Sequence, residues 1–127
     1  MKALVLEDSA VMRSIICQFL RELGFESVEA ANGREGLERI AAMDQVDVVL
    51  VDLHMPVMDG QEFLRAARAI PRFRDTPMMV VTTQSELASI TSSLEAGSNE
   101  YLMKPFDRKG LLEKLLILGL DSNRMSA

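Results

Sequence analysis

Apolar positions along the chain fall into two kinds of run. The first kind is short and almost unbroken. Leu4 to Leu6, Val46 to Val51 and Met78 to Val81 are aliphatic or β-branched stretches, and each stops at a polar residue: Glu7, Asp52 and Thr82 respectively. Runs of this kind, apolar on both faces, predict buried strands of a parallel sheet. Ser27 to Ala30 and Asn99 to Met103 fit two weaker strands. The second kind recurs at helical spacing. Val11, Met12, Ile15, Ile16, Phe19, Leu20 and Leu23 form a stripe that Gly24 stops. Leu37, Ile40 and Ala41 follow the Asn32-Gly33 turn. Phe63, Leu64, Ala67 and Ile70 precede Pro71. Leu87, Ile90 and Leu94 precede Gly97, and Leu111, Leu112, Leu115 and Leu116 make the last stripe.

The pattern is strand then helix, five times over. Such alternation implies right-handed crossovers with helices on both faces of the sheet. The expected fold is α/β: a doubly wound, five-stranded parallel sheet, flavodoxin-like (βα)5, with strand order 2-1-3-4-5. Residues 1–120 are expected to form one domain and residues 121–127 a frayed C-terminal tail.

Composition narrows the function classes. Nearly half the residues are apolar (48%), a quarter are charged (26%), and the net charge is −5. An acidic chain lacks the basic face that broad nucleic-acid binding requires, so no nucleic acid is expected as a partner. No apolar run approaches a membrane span, and MKALVLED is too short in its apolar part for a signal segment. Cys17 is the single cysteine, which fits a reducing, cytoplasmic setting. A monomer or weak dimer is expected.

In a doubly wound sheet, ligands bind beyond the carboxyl ends of the strands, at the point where the strand order reverses. Strand 1 ends at Glu7-Asp8, strand 3 at Asp52, strand 4 at Thr82-Thr83 and strand 5 at Lys104-Pro105. Three carboxylates, a hydroxyl and an ammonium therefore converge on one edge. Carboxylates in such proximity repel, and a hard divalent cation removes that cost. Mg2+ fits best, because it takes few protein carboxylates and leaves positions for phosphate oxygens. Lys104 and Thr82 can serve the same oxygens. The set suits phosphoryl transfer, with Asp52 as the nucleophile that forms an acyl phosphate.

At these residues the sequence resembles the receiver domain of two-component response regulators, from Lys2 to about Leu118. Glu7-Asp8 resembles the family's acidic pair, VDLHMPVMDG (Val51 to Gly60) its phosphoacceptor segment, and Lys104-Pro105-Phe106 its KPF motif. Thr82 matches the switch hydroxyl, and Tyr101 matches the aromatic switch position three residues before the lysine. The resemblance implies a stand-alone, CheY-like module. Its Asp52 takes a phosphoryl group from a histidine kinase, a phosphotransfer protein or a small donor. It also implies that Asp8, Asp52 and the backbone carbonyl of His54 hold Mg2+, with Glu7 acting through water. Thr82 and Lys104 would grip the phosphoryl oxygens, and Tyr101 would turn inward. The Lys104-Pro105 bond is expected to be cis. His54 and Gln84, two residues after Asp52 and Thr82, would tune dephosphorylation. The family's output face is formed by helix 4, strand 5 and helix 5, and the output protein is unknown. A phosphorelay intermediate is the alternative to a chemotaxis-type regulator.

Other readings fit less well. A phosphatase of the haloacid dehalogenase type needs a second acid where this chain has His54. An FMN binder needs a Gly-rich phosphate loop where this chain has EDSAVMRS. The His54 ring is expected to be exposed and its carbonyl to matter more. Cys17 is expected to sit off the apolar stripe as a partly exposed thiol. Met12, Met43, Met78 and Met79 fall on core positions. The exposed side of helix 4, within SELASITSSLEAG, is poor in charge, and PRFRDTP (Pro71 to Pro77) reads as a solvated loop.

Overall fold

A computed structural model describes residues 1–83, 85–86 and 90–120. Its elements are β1 (Lys2–Leu6), α1 (Ala10–Glu22), β2 (Glu26–Ala30), α2 (Gly33–Ala41), β3 (Val48–Asp52), α3 (Gly60–Arg68), a short 3-10 helix (Pro71–Phe73), β4 (Met78–Thr83), α4 (Ile90–Ala96), β5 (Glu100–Lys104) and α5 (Arg108–Ile117). The strands form one parallel sheet, as the alternating pattern implies, in the order β2-β1-β3-β4-β5 expected of a doubly wound fold of this size.

Successive side chains of a strand point to opposite faces, and β3 shows why its run is continuous rather than alternating. Val49 and Val51 join Leu4, Leu6, Ile40, Phe63, Leu64, Phe73, Met78 and Val80 in the layer beneath α2, α3 and α4. Val48 and Leu50 join Val5, Ile16, Leu20, Met79, Val81, Leu111 and Leu115 in the layer beneath α1 and α5. Each fully buried aliphatic or aromatic side chain is worth about 1.5–3 kcal/mol relative to exposure.

Short polar side chains start the helices. The Ser9 hydroxyl accepts from the Met12 N–H, Asn32 Oδ1 from the Glu35 N–H, and Asp107 Oδ1 from the Gly110 N–H. Asp59 and Glu62 form a reciprocal capping box at α3. Each cap lies just past the carboxyl end of a strand or in the loop that follows it, so the strand-to-helix turns all open on the same edge of the sheet.

Several apolar expectations need correction. Val11 and Ile15 of α1 face solvent (Val11 is 73% exposed), and Cys17 is buried at 7%. The inward stripe of α1 is narrower than the run of apolar residues and passes through Ile16, Cys17 and Leu20. In α4 the buried residues are Ser93 and Ala96, while Leu94 is exposed, and in α5 Leu111 and Leu115 are buried while Leu116 is exposed. The segment from Pro71 to Pro77 is more structured than a solvated loop. Phe73 is fully buried, with the Arg72 guanidinium 4.6 Å from its ring centroid. Arg68 clamps this region to the start of β5. Its guanidinium donates to the carbonyls of Phe73, Arg74 and Gly97 and to Asn99 Oδ1, at 2.7 to 3.0 Å. Leu120 closes the core at the end of the described chain, and the expected tail at residues 121–127 lies outside the described residues.

Candidate functional site

The carboxyl ends of β1, β3 and β5 carry the acids and the lysine to one point. Asp52 is the last residue of β3 and Lys104 the last of β5, while Glu7 follows β1 directly. Glu7 is fixed by its backbone. Its N–H donates to the Ala30 carbonyl at 3.0 Å, and its own carbonyl accepts from Arg13 Nη1 at 2.7 Å. Glu7 and Asp52 are only 2% and 7% exposed, whereas Asp8 is open to solvent. One oxygen from each of Glu7, Asp8 and Asp52 lies within 4.8 Å of the others.

Lys104 Nζ stands 3.2 Å from Glu7 Oε1 and 3.5 Å from Asp52 Oδ2. The Lys104-Pro105 peptide bond is cis, as expected. One ammonium against three carboxylates leaves the cluster short of positive charge. The deficit is visible at Glu7. Burial pushes its carboxyl from the usual 4.5 up to about 8, the facing Asp52 adds to the rise, and Lys104 opposes it. Glu7 Oε2 is buried without a hydrogen-bond partner. An orphaned buried oxygen, two neighbouring carboxylates and one solvent-facing side form a donor set of the hard-oxygen kind that Mg2+ takes, open on the side where its waters and a substrate would bind.

The loop after β3 is tightly tied. The His54 N–H donates to Asp52 Oδ1 at 3.3 Å, and the Gly60 N–H donates back to the Leu53 carbonyl at 3.1 Å. A Cβ on Gly60 would stand 2.5 Å from the Asp52 carbonyl oxygen, so only glycine lets α3 start this close to the acid. Val57, in the same loop, is 75% exposed and takes φ 69°, a region unfavourable to β-branched residues.

Thr82 and Thr83 end β4, as expected, and Thr82 is fully buried. Its hydroxyl donates to Glu86 Oε2 at 2.9 Å, a contact the sequence reading did not foresee. The other oxygen of Glu86 lies 3.3 Å from His54 Nε2, and the His54 ring is exposed as expected. Tyr101 sits in β5 beside Val80 of β4, with the Lys114 ammonium 4.3 Å from its ring centroid. Gln84 lies outside the described residues. Glu7, Asp8, Asp52 and Lys104 are thus brought together, while Thr82 stands one position further along its strand, with its hydroxyl engaged elsewhere. Glu86 is an acid four residues after the candidate hydroxyl, and that spacing is the one faint signal of the contact in the sequence.

Comparison with known proteins agrees with this arrangement. The family model for the response regulator receiver domain matches residues 3–116. Chemotaxis protein CheY1 of Helicobacter pylori is 40% identical over 121 residues, 94% of this chain and 98% of its own. Among solved structures, the chemotaxis response regulator CheY4 of Vibrio cholerae superposes with a TM-score of 0.86 at 32% identity, covering 92% of this chain and 97% of that one. The receiver domain of a sensor histidine kinase from Pseudomonas aeruginosa, with a magnesium ion coordinated in its active-site cleft, gives 0.85 at 31% identity, covering 93% and 97%. Among the described residues, no helix is long and apolar enough to cross a membrane.

Proposed function

The chain belongs to the response regulator receiver domain family, and from that premise we propose that it accepts a phosphoryl group on Asp52 from a phosphohistidine of a histidine kinase or phosphotransfer protein, with Mg2+, and thereby changes its affinity for an output protein. The observation that supports this most is the meeting of Glu7, Asp8 and Asp52 within 4.8 Å, with Lys104 Nζ 3.5 Å from Asp52 Oδ2.

In the transfer, an Asp52 carboxylate oxygen bonds to phosphorus, the phosphorus–nitrogen bond of the donor breaks, and the imidazole leaves with the electron pair. Asp52 becomes an aspartyl phosphate. Asp8, Asp52 and the His54 carbonyl would hold Mg2+, and Glu7 would reach it through water. The bound cation would neutralise charge on the phosphoryl oxygens. Lys104 supplies the fixed positive charge from the protein side. It already faces Asp52, so its ammonium needs little reorganisation to meet a new oxygen. Thr82 supplies the remaining donor. Its movement toward the phosphoryl group lets Tyr101 repack, and the change reads out on the face of α4, β5 and α5.

A chemotaxis-type regulator is the favoured reading, because Chemotaxis protein CheY1 and the chemotaxis response regulator CheY4 carry that description. A phosphorelay intermediate uses the same chemistry. Acetyl phosphate with Mg2+ is expected to add one phosphoryl group to the protein, and Asp52→Asn to abolish the addition. Intact-protein mass spectrometry reads both, and undiminished labelling of the variant would place the acceptor elsewhere.

A further inference from the structure

Outside the acid cluster, Glu86 makes the most consequential side-chain contacts near the site. Its carboxylate is mostly buried, with the side chain 20% exposed, in the loop after β4. Oε2 accepts the Thr82 hydroxyl at 2.9 Å and lies 3.4 Å from the Thr83 N–H. Oε1 faces His54 Nε2 at 3.3 Å. His54 in turn donates its backbone N–H to Asp52 Oδ1 at 3.3 Å. One continuous chain of contacts therefore runs from the acceptor Asp52, through His54 and Glu86, to Thr82.

A threonine hydroxyl has one proton to donate. Here Glu86 takes it, and the Thr83 carbonyl, at 3.4 Å, is the poorer alternative. A phosphoryl oxygen on Asp52 would need that same proton. Both acceptors are anionic, so their claims on it are of similar kind, and the two cannot be met together. A carboxylate held this near the phosphoryl site also raises the local negative charge that the incoming group must meet.

Resting on the assignment of Asp52 as acceptor, we propose that Glu86 is a positioning residue that holds Thr82 in the unphosphorylated arrangement and competes with the phosphoryl group for the Thr82 hydroxyl, with His54 orienting the Glu86 carboxylate. Glu86 then sets how far a given phosphoryl donor drives the protein toward its active form. Loss of the carboxylate favours the active arrangement, and the gain requires the Thr82 hydroxyl.

The test is a double-mutant cycle on binding of beryllofluoride, whose fluorines stand in for phosphoryl oxygens, measured with Mg2+ by fluorine NMR on the full chain. Glu86→Ala is expected to tighten binding by about tenfold, the effect of one charge-assisted hydrogen bond. In a Thr82→Ala background, the same substitution is expected to change binding little. His54→Ala is expected to give part of the gain. Glu86→Gln, which keeps the volume and an acceptor oxygen, is expected to fall between wild type and Glu86→Ala, and it guards against an altered loop. An unchanged or weaker affinity in both Glu86 variants overturns the inference. An equal gain with and without the Thr82 hydroxyl also overturns it, because charge alone would then be acting. Wild-type protein that binds no beryllofluoride overturns the Asp52 assignment and this inference with it, whereas normal wild-type binding with indifferent variants overturns this inference alone.

Discussion

The two sides of the site are held in different ways. On the β1–β3 side the acids stand on backbone that has no slack. Residues Val48 to Val51 are fully buried, Glu7 is tied to the Ala30 carbonyl, and the turn after Asp52 is closed by the Gly60-to-Leu53 hydrogen bond and the α3 capping box. On the β4–β5 side, β4 is buried from Met78 to Thr82, but beyond it the packing thins: of β5 only Leu102 is buried, and the seven-residue α4 buries just Ser93 and Ala96. There the functional groups are held by one or two polar side-chain contacts each: Thr82 by Glu86, Lys104 by Glu7 and Asp52, Tyr101 by Lys114. A rigid side suits the chemistry, which needs a fixed nucleophile. A side held by exchangeable polar contacts suits a response, because a new charge can displace each contact without unfolding the core.

The sharpest break in this comparison comes from Asp8, the exposed member of the rigid side. If Asp8 holds Mg2+ directly, as proposed, Asp8→Ala is expected to weaken Mg2+ binding by on the order of a hundredfold, since a direct ligand should matter at least as much as an outer-sphere partner. Removal of a carboxylate held close to Asp52 should also raise the melting temperature of the metal-free protein. Calorimetric titration and thermal melts in chelator measure the two effects. A fall in the metal-free melting temperature would show that Asp8 supports the fold rather than straining it.

A smaller effect belongs to Glu7. Its carboxyl titrates near 8 in the folded chain because of burial first and Asp52 second, against an ordinary value of 4.5. The native state therefore keeps a proton that the unfolded chain has released. Between these two values the unfolded state binds fewer protons, so stability falls as pH rises through the window. Metal-free protein is expected to lose several degrees of melting temperature across it. Glu7→Gln, which keeps an acceptor for Lys104, should flatten that slope. A slope of equal steepness in the variant would assign the pH dependence to another group.

Legibility in the sequence follows the same division. The alternation of five strands with helices, the strand ends and the convergence of Glu7, Asp8, Asp52 and Lys104 could be read directly, because buried parallel strands are continuous apolar runs whose ends are plain to see, whereas the sheet order follows only from the known doubly wound fold type. Helix faces were less legible. Val11 and Ile15 extend the apolar run of α1 beyond its buried stripe, and Leu94 takes the exposed side of α4 while Ser93 is buried. Apolar identity alone cannot say which residues of a short helix face inward when small residues pack best against the neighbouring helix. Least legible were the side-chain contacts across the site entrance. Glu86 meets Thr82 and His54, and Arg68 gathers carbonyls from two separate loops. Neither follows from spacing.

The smallest expected effect tests the responding side at its far end. Glu100 Oε1 accepts from Lys114 Nζ at 3.0 Å and from the Tyr101 N–H at 3.0 Å, which places the ammonium over the Tyr101 ring. A cation at this distance from a partly exposed ring is worth about 0.5–1 kcal/mol. That energy favours the present ring position over an inward one. Lys114→Met keeps the apolar stem and removes the charge. It is expected to shift the population of Tyr101 orientations about twofold to fivefold toward that of the beryllofluoride-activated protein, with Asp52 still able to accept a phosphoryl group. Ring resonances of Tyr101, the single tyrosine, read the population directly. The shift should be smaller than that caused by activation itself, because the Thr82 contact remains in place. If the resonances of the variant coincide with those of the resting wild type, Lys114 does not restrain the ring. The responding side would then be held at Thr82 alone.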